Sequence, residues 1–194
     1  FGPVRGAITI RQLFSQTHGL PADHPAIPGP GKDNGLTLEQ AVDQIAMDDS
    51  VLYPPGSKHD YEPAVSYHIA GRIAEVVTGQ SWAALFDERV RLPLGMDSFT
   101  YGETQNPRIG GGARAALAVY GKMLRMHLSL GTLDGKPVLS ESSVREMYED
   151  QLKGIPFTKP IVQPESTGYG LSWGFEQVEN PGAVPLLPVQ VDGS

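Results

Sequence analysis

A chain of 194 residues is long enough for one domain, or one and a half. Hydrophobic residues make up 40% of it and charged ones 19%, the balance of an ordinary globular protein rather than a disordered one. The net charge of −7 argues against nucleic acid, the lack of cysteine excludes disulfides, thiol catalysis and thiolate metal sites, and no apolar run approaches the ~20 residues of a membrane span.

Both ends read as cuts, because Phe1 is not an initiator methionine and PVQVDGS stops just after an apolar alternating run. Residues 8–17 (ITIRQLFSQT) predict a short helix with Thr9 as N-cap, an apolar face of Ile10, Leu13 and Phe14, and Gly19 as its end. The proline- and glycine-rich stretch 20–36 is a loop. Thr37 caps a second helix with Gln40 in the capping-box position, and Leu38, Ala41, Val42 and Ile45 give it one apolar face. Asp48 and Asp49 read as its solvated end rather than a metal cluster.

From Pro63 the spacing of Val65, Ile69, Ile73 and Val76 marks one face of a helix, with Gly79 as its C′ residue. Ser81 caps the next helix, SWAALFDERV, which Pro93 closes. Gly110, Gly111 and Gly112 are read as close backbone packing rather than an anion nest, and lead into an amphipathic helix over 113–130 ended by Gly131. A turn at Asp134-Gly135 precedes a helix that Ser140 starts (SESSVREMYEDQL). Residues 153–167 form a loop, the alternating GYGLSWGFE (168–176) reads as a strand, and 184–191 as another. About six helices followed by one or two strands leave two readings: an all-α domain with a small hairpin, or a sheet whose other strands lie outside the chain.

Among single residues, Trp82, Trp173, Tyr67 and Phe86 read as core. His18, His24, His59, His68 and His127 lack metal-ligand spacing and read as surface or internally satisfied. Neither a metal nor a cofactor is expected. Ser166-Thr167-Gly168 carries no lysine and is given no role.

Five blocks in fixed order carry a family resemblance over about residues 7–176. ITIRQLFSQTHGLP resembles ITIRHLLTHTSGLP, departing from it at Gln16 and His18. LYPPGSKHDYEPAVSYHIAGRIAEVVTGQSW, RVRLPLGMDSF, GTLDGKPVLSESSVREM and GYGLSWGF resemble the later blocks of the same group. That group is the β-lactamase-like, penicillin-binding-protein-like serine hydrolases: class C β-lactamases and their esterase and D-alanyl peptidase relatives. The resemblance implies an α/β, β-lactamase/transpeptidase-like fold with a helical subdomain set against an antiparallel sheet. Residues 1–194 would be a single incomplete domain, 7–152 mostly the helical subdomain and 168–194 the start of the sheet.

It also implies an active site in the cleft between subdomains, with a nucleophilic serine from Ser-x-x-Lys. No such motif occurs in the chain; it would precede Phe1, and the Lys-Thr-Gly or His-x-Gly strand would follow Ser194. The middle motif falls on Tyr61, the candidate catalytic residue. A serine hydroxyl attacks a carbonyl only when something takes its proton. A phenolate can do so, but bringing a tyrosine pKa from 10 to neutrality takes about 3 units, roughly 4 kcal/mol of differential stabilisation. Lysines of the flanking motifs would supply it, so within this chain Tyr61 is expected to stay a protonated phenol, the fragment to be inactive, and uncovered apolar surface to make it sticky.

Pro63 stands where lactamases and peptidases of the group carry the asparagine of Tyr-x-Asn, which favours the esterase-like members. The expected partner is a small-molecule ester, amide or peptide substrate; the sequence does not give the compartment, and only the family resemblance favours a periplasmic or secreted protein. The alternative is an inactive relative that uses the fold for binding.

Overall fold

The computed structural model describes residues 3–48, 50–156 and 166–176. Asp49 and the strand expected over 184–191 lie outside them.

A short helix α1 (Pro3–Gly6), which no periodicity foretold, leads into α2 (Ile10–Phe14). Thr9 caps α2 reciprocally with Gln12, so two otherwise orphaned N–H groups find acceptors. The helix stops short of its expected end because Gln16 turns left-handed, φ 56°, three residues before Gly19. Helix α3 (Leu38–Met47) starts at the Thr37–Gln40 capping box. Helix α4 (Pro63–Thr78) has Pro63 in its first turn, where the missing N–H costs nothing, and ends on left-handed Gly79, φ 70°.

These helices enclose the first core: Leu13, Leu20, Ile27, Leu38, Val42, Ile45, Ala64, Val65 and Ile69. Each large aliphatic side chain among them contributes roughly 1.5–3 kcal/mol by leaving water. Ile73 packs against this cluster but Val76 is 65% exposed, so the core ends before α4 does.

Helix α5 (Trp82–Phe86), capped by Ser81, widens into a π-helical turn over Asp87–Arg91. Leu92 N–H there reaches Asp87 C=O at 2.9 Å, five residues back, and the Arg91 guanidinium pairs with the Asp87 carboxylate. Helix α6 (Leu117–Leu128) starts later than expected, since Arg114 and Thr100 exchange both backbone hydrogen bonds, 2.8 and 2.9 Å. Strands β1 (Thr132–Leu133) and β2 (Lys136–Pro137) close a hairpin on Asp134 (φ 49°) and Gly135 (φ 78°), the left-handed pair such a turn requires. Leu94, Met96, Met126 and Leu133 form a second core beneath it. Helix α7 (Glu141–Tyr148), capped by Ser140, ends before the expected residue 152.

The run 168–176 is not one strand. It belongs to a second hairpin, β3 (Ser166–Tyr169) against β4 (Gly174–Glu176), with the chain reversing at 170–173. The end of α7 forces this reversal. Leu171 N–H donates to Met147 C=O at 3.0 Å, and a Cβ on Gly170 would lie 2.1 Å from that same oxygen.

Trp82, Trp173, Tyr67 and Phe86 are half-buried, and Trp82 packs against the first core. Trp82 and Phe86 stack at 6.1 Å and Phe86 meets Phe99 at 4.8 Å, an aromatic strip along the boundary of the two cores. The described residues are therefore mostly helical, with two small antiparallel hairpins. None of their helices is long and apolar enough to cross a membrane.

Candidate active site

Tyr61 lies on the segment that enters α4, and hydrogen bonds to distant backbone fix that segment's path. Leu52 N–H donates to Gly19 C=O (2.8 Å), Gly56 N–H to Thr17 C=O (2.7 Å), His59 N–H to Pro156 C=O (2.9 Å) and Asp60 N–H to Gln16 C=O (3.1 Å). The close run along residues 16–19 depends on Gly19, whose φ is 75° and whose missing Cβ would sit 2.2 Å from Tyr53 C=O. Gly19→Ala is expected to destabilise the protein by about 2–4 kcal/mol, since both the left-handed backbone and a rigid carbonyl oppose the methyl group. A urea midpoint within error of the parent would contradict that close approach.

The Tyr61 ring is half-buried and meets the edge of Tyr169 at 6.5 Å. Tyr169 is buried and touches His59 at 4.7 Å. Tyr67, one helical turn into α4, donates its hydroxyl to Ser172 Oγ at 2.7 Å. Burial pushes the Tyr67 phenol up, against contacts with Ser172, Tyr169 and Gln16 that oppose the shift. Burial pushes Tyr169 far above the ordinary tyrosine range, with Tyr67 and Tyr61 adding to the effect. In each case the shift disfavours the phenolate. Lys58 is engaged beside them, its Nζ 3.4 Å from Asp60 Oδ2 and 4.4 Å above the Tyr53 ring. Pro63 presents only its ring, so no side-chain amide stands at that position.

Gln16, fully buried, supports the whole segment. Its Oε1 accepts from Glu62 N–H at 3.0 Å and lies 3.3 Å from His18 Nε2, while its Nε2 donates to Leu13 C=O (3.2 Å) and Ser66 Oγ (3.3 Å). The sequence marked Gln16 and His18 as departures from the family pattern without indicating this role.

Four of the five histidines lie in the interior: His18, His59, His68 and His127. Desolvation brings His18, His59 and His68 each down to about 4 and lowers His127 as well. His18 is internally satisfied, with Leu20 N–H donating to its Nδ1 at 2.9 Å. Two open clefts of about 490 and 360 Å³ flank Trp82, one bordered by Arg72 and Glu75, the other by Phe86 and Tyr101; Tyr61 lines neither.

The Beta-lactamase family model matches residues 1–185. The chain belongs to that family. Penicillin-binding protein 4 of Amycolatopsis lactamdurans is 28% identical over 200 residues, which cover 88% of this chain and 50% of that protein. A solved Bacteroides dorei protein, provisionally described as a β-lactamase, is 30% identical and superposes with a TM-score of 0.76, covering 92% of this chain and 55% of that one. The β-lactamase/D-alanine carboxypeptidase of Yersinia pestis shares the fold at a TM-score of 0.70 and 20% identity, over 89% of this chain and 54% of that one. The β-lactamase-family chain thus spans about half the length of these relatives.

Proposed function

We propose that the full-length protein carrying this chain is a serine hydrolase that cleaves an ester or amide through an acyl-serine intermediate. Tyr61 takes the proton of the attacking hydroxyl, and the serine comes from sequence outside residues 1–194, since no Ser-x-x-Lys lies within them. In this reading residues 1–194 are one incomplete domain, 7–152 mostly its helical subdomain and 168–194 the start of its sheet. The observation that carries the reading is Tyr61 itself. Within a β-lactamase-family chain it occupies the entrance of α4, half-buried, on backbone held from both sides. Tyr67 and Tyr169 are disfavoured for the same task because burial opposes their phenolates.

An ester is favoured over a β-lactam or a D-alanyl peptide. Pro63 offers no amide with which to hold a substrate amide, and an ester needs none there. A catalytically inactive relative that uses the fold for binding is the competing reading, and the absence of Ser-x-x-Lys from the chain is what keeps it in play.

The test is hydrolysis of a chromogenic short-chain ester and a chromogenic cephalosporin by the full-length protein, with fluorophosphonate labelling alongside. Ester turnover, single-site labelling and slow or absent cephalosporin cleavage are expected. A folded full-length protein that turns over neither compound and takes no label would sink the hydrolase reading in favour of the binding one.

A further inference from the structure

We propose that Gln16, with its amide oriented by His18, is the positioning residue that fixes Tyr61 for proton transfer; this rests on the reading of Tyr61 as the base. Gln16 holds the chain on both sides of the tyrosine. Its backbone carbonyl accepts from Asp60 N–H at 3.1 Å, and its side-chain Oε1 accepts from Glu62 N–H at 3.0 Å. With the residue before it and the peptide after it both tied to Gln16, Tyr61 has little freedom to swing its Cα–Cβ bond.

The orientation of the Gln16 amide follows from its neighbours. Leu20 N–H donates to His18 Nδ1, so a neutral His18 carries its proton on Nε2 and donates toward Gln16 Oε1. Two donors, Glu62 N–H and His18 Nε2–H, thus face the oxygen, while the amide NH2 finds two acceptors in Leu13 C=O and Ser66 Oγ. A flipped amide would set N–H against N–H twice. Full use of a buried amide in one orientation is what makes it a rigid support, because any displacement strands several polar groups at once.

The backbone supports the same conclusion. Gln16 sits at φ 56°, a left-handed conformation that a glutamine side chain disfavours. Here the left-handed turn aims the Gln16 carbonyl and side chain at the same segment. The same turn ends α2, Gln16 standing as its left-handed C′ residue with Thr17 N–H donating to Gln12 C=O at 3.1 Å.

The experiment is a double-mutant cycle in the full-length protein with a chromogenic ester, measuring kcat, KM and the pH dependence of kcat/KM. Gln16→Met removes the amide at nearly constant volume. Gln16→Asn keeps the same groups on a stem one methylene shorter, and is the variant to use if Gln16→Met does not fold. In either folded variant kcat should fall about 10- to 100-fold with KM changed less than threefold, because misplacing a catalytic group by about 1 Å costs on that order. The pH limb that reports the base should move. Combined with Tyr61→Phe, the Gln16 substitution should add no further loss, since it acts through the tyrosine.

A folded Gln16 variant with parental kcat and pH profile, or a loss that multiplies with that of Tyr61→Phe, would overturn the positioning role and leave the base assignment standing. Parental turnover by Tyr61→Phe would overturn both.

Discussion

Tyr61→Phe in the full-length protein is expected to lower kcat/KM for ester hydrolysis by about 10²- to 10⁴-fold, the range that loss of a positioned general base produces. That corresponds to about 2.7–5.5 kcal/mol of transition-state stabilisation. KM should change little, because phenylalanine keeps the ring and its edge contact with Tyr169 at 6.5 Å. Tyr67→Phe provides the contrast. Its hydroxyl donates to Ser172 Oγ, so its removal should cost about 1 kcal/mol of stability and leave the base in place. Stopped-flow turnover and urea melts of the two variants separate the roles. If Tyr67→Phe abolished turnover while Tyr61→Phe kept it, the proton acceptor would have to be sought one helical turn further along α4.

The second large effect is acid sensitivity. His18, His59 and His68 are fully buried, and desolvation brings each from 6.5 to about 4 in the folded protein. The fold therefore holds the neutral rings, while the unfolded chain takes up protons as soon as pH drops below 6.5. The sign follows: their contribution is intact above pH 6.5, falls as pH drops toward 4, and is gone below it. A shift of this size is worth on the order of 3 kcal/mol per histidine when complete, and about 2 kcal/mol at pH 5. Three such groups together approach the whole stability of a typical domain, roughly 5–15 kcal/mol. The urea midpoint should fall steeply between pH 7 and pH 5. Equal midpoints at pH 7 and pH 5 would show that these rings are solvated.

What was readable in the sequence was local. The Thr9 cap, the Thr37–Gln40 box, the Gly79 helix end and the Asp134-Gly135 turn are written within four or five residues of themselves, and each forms as expected. The misses were set by distant partners. The left-handed turn at Gln16 is matched to a segment 46 residues away, and the split of 168–176 is imposed by the end of α7. The π-helical turn over Asp87–Arg91 carries no mark in hydrophobic spacing. The sequence left open whether the histidines lay at the surface or inside, because polarity alone does not reveal which loops will close over a ring. Tyr61 was found by its place in an ordered pattern, whereas its support by Gln16 could be seen only once the chain was folded.

The reversal at 170–173 has a further consequence for how the molecule is made. Ser172 N–H donates to Phe14 C=O, Leu171 N–H to Met147 C=O, and the Tyr67 hydroxyl reaches Ser172 across 105 positions of chain. A ribosome extruding this polypeptide releases Phe14 and Tyr67 well before the turn that joins them exists. Contacts that close such long loops come late and slow the search. The two cores, drawn from residues 13–69 and 94–133, are complete in sequence before that turn emerges, so it docks onto α2, α4 and α7 as a last step.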